Sequence, residues 1–209
     1  MNGRAFSALL YIFIALIFDG LDGRVARLTN TTSKFGVEFD SLSDLVAFGV
    51  APAVFFYVNL GYEFGKIGTL ISGFFVVFGA IRLARFNVTT GTYEPSVFIG
   101  LPIPTAAIVS AVYIYAYTRY DFFRGFEVAF LLVQLGLAFL MVSNIRYPSF
   151  KKVDLSQANM LKVLVLLILA FSLLYLYTLE SIFIAVSLYV FYGPLRTIYT
   201  LLCAKFKKR

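Results

Sequence analysis

Histidine and tryptophan are absent from this sequence, and cysteine occurs once, at Cys203. Without histidine there can be no Ser-His-Asp triad, and zinc loses the imidazole and thiolate donors it favours. One thiol cannot build a disulfide framework or a thiolate metal site within a chain. Charge is scarce too: 14% of residues are Asp, Glu, Lys or Arg, against about a quarter in a soluble domain. Any chemistry must come from carboxylates, Arg, Lys, hydroxyls and metal.

What is present in abundance is hydrocarbon. Of 209 residues 60% are hydrophobic, and the mean hydropathy is +0.86. Uncharged stretches run 5–18, 45–62, 67–81, 95–118, 128–145, 163–179 and 181–195. A span takes roughly 20 mainly apolar residues, so with polar ends admitted the pattern predicts helices at 4–27, 35–61, 66–86, 97–118, 125–145, 158–178 and 180–202. The fold class is therefore all-α, a polytopic transmembrane bundle of about seven spans. Too little sequence is left over for a separate soluble domain, so 1–209 reads as one membrane domain. Pro102 and Pro104 are expected to distort the start of the fourth span, and Gly193-Pro194 to kink the last. The polar links 87–96 and 146–157 read as cytoplasmic loops.

The net charge of +7 does not point to nucleic acid, because the basic residues sit in short links between spans. Placing the 23–34 link in the cytoplasm collects Arg24, Arg27, Lys34, Arg82, Arg85, Arg146, Lys151, Lys152, Lys162, Arg196, Lys205, Lys207, Lys208 and Arg209 on that side. Only Arg4, Lys66, Arg119 and Arg124 remain outside, and this asymmetry sets the orientation. The same charge suits anionic membrane lipids. Met1 then lies outside, and the 5–18 block runs into Asp19 without a small-residue cleavage site, so it is not a signal peptide. This topology leads us to expect that one N-terminal helix is missing from the chain.

The informative segment reads IFDGLDGRVARL at the end of the first span and KFGVEFDSLSDLVAFG at the start of the second. An aspartate near a bilayer centre costs about 2.5–3.5 kcal/mol, so four left unpaired would cost on the order of 10 kcal/mol. Asp19, Asp22, Gly23 and Ala26 fall on one stripe of one helix, and Gly36, Asp40 and Asp44 on one stripe of the next. A linker as short as 28–34 makes these helices antiparallel neighbours. Carboxylates facing one another cannot all ionise without a cation. Oxygen-only ligands favour hard ions, Mg²⁺, Mn²⁺ or Ca²⁺, and two metals suit a phosphoryl displacement. Gly23, Ala26 and Gly36 leave room for a base or phosphate, and Arg27 lies one turn beyond Asp22 and Gly23, placed for a pyrophosphate oxygen. A single aspartate would be read equally well as a structural ion pair, and a single glycine as close helix packing. A cation pathway is the alternative for the group, but the acids cluster near one side instead of crossing the membrane.

The string D19-x2-D22-G23-x2-A26-R27-x8-G36-x3-D40-x3-D44 resembles, position for position, the signature of the CDP-alcohol phosphatidyltransferases. The resemblance implies that Asp19, Asp22, Asp40 and Asp44 hold divalent metal, Mg²⁺ or Mn²⁺ and two ions, with Asp44 also the general base. It implies that Asp19, Gly23, Ala26, Arg27 and Gly36 line the site of a CDP-linked lipid. Segments RLARFNV (82–88), FIGLPIPTAA (98–107) and YPSFK (147–151) look like the branch that uses serine, the phosphatidylserine synthases of bacteria and archaea. That implies transfer of a phosphatidyl group from CDP-diacylglycerol, or an ether analogue, to L-serine with release of CMP, at the inner membrane and on its cytoplasmic side. Glycerol phosphate or inositol phosphate stays open as the acceptor. Arg82, Arg85 and Asn87 are candidates for an acceptor carboxylate, or the two arginines for a phosphate, with Tyr147 and Lys151 closing the pocket. The arginines read equally well as anchors of a helix end. Family members usually carry an additional N-terminal helix, eight spans in all, and are often homodimers; no motif here marks an interface.

The topology has a direct test. In spheroplasts Cys203 is expected to resist a membrane-impermeant maleimide, and Glu63→Cys in a Cys203→Ser background to be labelled. The opposite pattern would invert the orientation.

Overall fold

The structure is a computed structural model and describes residues 2–29, 31, 33–89, 97–148, 172 and 175–207. Among these, helices α1 (Asn2–Leu28), α2 (Lys34–Asp44), α3 (Ala51–Asn59), α4 (Lys66–Thr89), α5 (Ile103–Arg119), α6 (Glu127–Val142) and α7 (Thr178–Lys207) make the bundle. Segments Arg4–Ala26, Lys34–Asn59, Lys66–Thr89 and Thr178–Thr200 are each long and apolar enough to cross a membrane, whereas α6 is a shorter apolar helix. The expected sixth span lies mostly outside the described residues.

Three local departures from the expected pattern have physical causes. The second span is one rod in which α2 and α3 are joined by a π-helical turn, Leu45–Val50. Pro52 stands in the first turn of α3 and has no N–H for a carbonyl one turn back. The wider π turn absorbs the misfit, with the Ala51 N–H reaching back to the carbonyl of Val46. The fourth expected span, α5, begins at Ile103, not at 97: Pro102 caps it from extended backbone and Pro104 falls in its first turn, where a missing N–H costs nothing. Residues ahead of it form a short strand, β1 (Val97–Ile99), paired antiparallel with β2 (Arg146–Pro148), so part of the expected 146–157 loop is strand. At the far end α7 runs through Pro194 without ending there.

Helix α5 is the axis of the bundle and touches α1, α3, α6 and α7. Its buried face carries Ala106, Ala107, Ser110 and Ala111, small residues that let neighbouring backbones approach. Ser110 donates to Gln134 of α6 at 2.8 Å, a polar link within the core. Large aromatic residues, Phe48, Phe56 and Phe75, fill the remaining interior. Outward, Phe6, Tyr11, Leu21, Leu70 and Leu188 are exposed, as a lipid-facing surface requires.

The β1–β2 pair is fastened to the bundle by Tyr147, whose side chain is wholly buried. Pro194 leaves the carbonyl of Val190, four residues back, without its helical donor. The Tyr147 hydroxyl donates to that carbonyl at 3.2 Å. Gly193 makes room for the ring: a Cβ there would stand 2.5 Å from two of its carbons. Loss of this bond in Tyr147→Phe should cost about 1–3 kcal/mol, because a buried carbonyl is left unpaired. A lowered melting temperature of the solubilised protein would register it, with a larger drop for Gly193→Ala.

Candidate active site

Two helix ends build the acidic pocket. The end of α1 is closed by Thr29 and Thr31, whose N–H groups bond the carbonyls of Val25 and Ala26 at 2.9 and 3.0 Å. Chain direction reverses within a few residues, and Ser33 caps α2 by accepting from the Gly36 N–H at 3.0 Å. The two aspartate stripes then converge as their spacing predicts. One carboxylate oxygen each from Asp19, Asp22 and Asp40 lies within 4.8 Å of the others. Asp19 is half-buried, while Asp22 and Asp40 are exposed. Asp44, half-buried one turn further along, joins the group through its side-chain contact with Asp19.

Three carboxylates at this separation repel strongly unless a cation lies among them. The donor set is oxygen only, with room on the exposed side for a ligand to complete a coordination sphere. These residues fit a hard divalent ion. Gly23 and Ala26 are half-buried on α1 and Gly36 is exposed at the first turn of α2, leaving that flank free of bulk. The side chain of Arg27 and the whole of Lys151 lie outside the described residues.

The remaining candidates separate into two kinds. Arg82 is 8% exposed, with its guanidinium 5.2 Å from the centre of the Phe86 ring and in the electrostatic field of Asp44. Among the described residues no carboxylate lies within salt-bridge distance of it. Arg85 is committed elsewhere. It donates to the carbonyls of Val142, Met141, Ser143 and Ile99 at 3.1–3.2 Å and to Asn144 Oδ1 at 3.4 Å. It thereby clamps the end of α6 to β1. Gly100 completes the clamp with φ +75°, and a Cβ there would strike the Met141 carbonyl and the Arg85 guanidinium. Tyr147 is the plug described above, its hydroxyl already bonded. Asn87 donates to Ser41 Oγ at 2.9 Å. Ser41 and Phe86 escaped the sequence reading. The available signals were the hydroxyl between Asp40 and Asp44 and the ring one turn after Arg82.

The fold and site thus define an all-helical bundle of membrane-length helices with a carboxylate cluster suited to a hard cation where two adjoining helix ends meet. The family model of CDP-alcohol phosphatidyltransferases matches residues 1–142, and the chain belongs to that family. Among its relatives, the CDP-diacylglycerol–serine O-phosphatidyltransferase of Helicobacter pylori is 50% identical over 198 residues, 94% of this chain and 82% of that protein. The corresponding protein of Bacillus subtilis is 36% identical over 70% of this chain and 77% of its own. An archaetidylserine synthase of Methanothermobacter thermautotrophicus is 38% identical over 71% of this chain and 60% of its own.

If the carboxylates are ligands, Asp22→Asn and Asp40→Asn should each weaken Mn²⁺ binding by about tenfold or more, since affinity follows ligand charge. Titration of the solubilised protein, with free Mn²⁺ read by electron paramagnetic resonance, checks this. Unchanged binding in both variants would remove the metal site.

Proposed function

We propose that this chain is a metal-dependent transferase of phospholipid biosynthesis, moving a phosphatidyl group from CDP-diacylglycerol, or an ether analogue, to L-serine. The observation that carries the chemistry is the convergence of Asp19, Asp22 and Asp40 beside Asp44. Serine as acceptor is supported by the relatives of this chain, which are named for serine or for archaetidylserine.

Asp19, Asp22, Asp40 and Asp44 would hold two divalent ions, Mg²⁺ or Mn²⁺. Bound there, the ions would supply neutralisation of the diphosphate charge as it shifts onto the leaving group. Asp19, Gly23, Ala26, Arg27 and Gly36 form the nucleotide side of the pocket, small residues admitting the CDP and Arg27 holding a phosphate oxygen. Asp44 takes the proton from the acceptor hydroxyl. The freed oxygen attacks the lipid-side phosphorus, the bond to the CMP oxygen breaks, and CMP leaves. Arg82 is the acceptor-side cation. With Arg85 engaged by carbonyls, Arg82 is the guanidinium of this pair with no hydrogen bond among the described residues, which suits the single carboxylate of serine better than the phosphate of a phosphorylated acceptor. Tyr147 and Lys151 close that side of the pocket in this reading, and Asn87, whose amide is bonded to Ser41, stands behind it without contact to the acceptor. Seven spans, a cytoplasmic site and a single domain over 1–209 follow from the distribution of Lys and Arg and from the hydrophobic pattern. A homodimer is the assembly expected by kinship alone.

The test is CMP release from CDP-diacylglycerol by purified protein with Mg²⁺ or Mn²⁺, offered serine, glycerol phosphate or inositol phosphate. Release should require serine and fall about 100-fold or more in Asp44→Asn. Arg82→Gln should raise the serine KM more than it lowers kcat. Release with another acceptor would discard serine while keeping the reaction.

A further inference from the structure

Helix α2 is held in place by very little. None of its residues is buried, although it carries two of the four aspartates. Only Ser41 and Asp44 are even half-buried. Immediately below it the rod passes into the π turn Leu45–Val50, which interrupts the regular α-helical hydrogen-bond ladder. Above it, the short turn at Ser33 fixes the start of the helix, not its lateral position. Against this stands a steady outward force, because carboxylates of α1 and α2 face one another within 4.8 Å. Some contact from the rest of the bundle must oppose it.

The contact is Asn87. We propose that Asn87 is a positioning residue for the carboxylate cluster, holding α2 against α1 through Ser41. This rests on the reading that the aspartates bind divalent metal. The Asn87 amide donates to Ser41 Oγ at 2.9 Å, and that hydroxyl donates onward to the Val37 carbonyl at 3.1 Å. The serine therefore has its proton engaged within its own helix and a lone pair free for the amide, so the two bonds support one another. Asn87 is itself mounted on a rigid post. It stands near the end of α4, two residues past Arg85, whose five bonds tie α4 to α6 and β1. Ser41 directly follows Asp40 and is three residues ahead of Asp44, so a shift of Ser41 moves both carboxylates. Asn87 touches no carboxylate in any described contact; it acts through the position of the helix. This role differs from direct acceptor binding and predicts a different kinetic signature.

Mn²⁺ affinity of the solubilised full chain, measured without substrate by electron paramagnetic resonance, separates the possibilities. Asn87→Ala and Ser41→Ala should each weaken binding about tenfold or more, the usual range for partners that orient ligands from behind. The double variant should be no worse than either single one, since both remove the same bond. Ser41→Thr, which keeps the hydroxyl, should stay near the parent. Ser41→Ala places a good helix former in a helix with no buried residue, so it is expected to fold even if Asn87→Ala does not. At saturating Mn²⁺ the serine KM of Asn87→Ala should remain within about twofold of the parent, as expected when binding energy is lost only at another site. Unchanged Mn²⁺ affinity in both variants, or strictly additive losses, would overturn the proposal. So would a selective rise in serine KM, which would place Asn87 on the acceptor. Asp40→Asn in the same assay serves as the reference. If it too leaves Mn²⁺ binding intact, the metal reading itself has failed; if it alone weakens binding, only the role of Asn87 has.

Discussion

Like charge brought together where two helix ends of an apolar bundle meet is the constraint on which this structure turns. Asp19, Asp22 and Asp40 place carboxylate oxygens within 4.8 Å of one another, with Asp44 against Asp19. Carboxylates this close repel one another unless a counter-charge lies among them. The cluster must also be prevented from relaxing by separation of the helices that carry it. Each conspicuous local feature bears on that problem: the abrupt turn capped by Ser33, the guanidinium of Arg82 near Asp44, and the amide of Asn87 on Ser41. The π turn Leu45–Val50 directly follows Asp44, so its geometry sets the direction in which α2 presents its carboxylates.

Around the β1–β2 pair the governing groups are backbone carbonyls that lack helical donors. In lipid a backbone carbonyl without a donor is costly, and several are created here by a helix end and by a proline. Arg85 gathers those at the end of α6 together with one from β1, and Tyr147 takes the one that Pro194 leaves on Val190. Both residues carry the chemistry of binding sites, and both are engaged in holding the β1–β2 pair to the bundle. Arg82, three residues and nearly a full turn of α4 away from the clamp, lies instead in the field of Asp44.

Neighbouring arginines thus have separate work although the sequence offers no reason to distinguish them. RLAR reads as a pair at one helix end, suited to one anion. The distinction depends on which face meets the end of α6, a contact more than 50 residues distant in the chain. Asn87 is a similar case, since its partner Ser41 is 46 residues earlier and lies in the aspartate segment itself.

The sequence by itself determined the all-helical membrane class, the two aspartate stripes and their convergence, because hydrophobic length, helical period and a short linker are local properties. It also contained the start of α5 at Pro102-Ile103-Pro104, although the strand ahead of it was read as helix because both kinds of segment are apolar there. Tertiary structure alone decided the hydrogen-bond partners of Arg85, Tyr147, Asn87 and Ser41. Each of those side chains is assigned by a hydrogen-bond partner brought close by packing, and long-range pairing of that kind leaves no periodic trace in the chain.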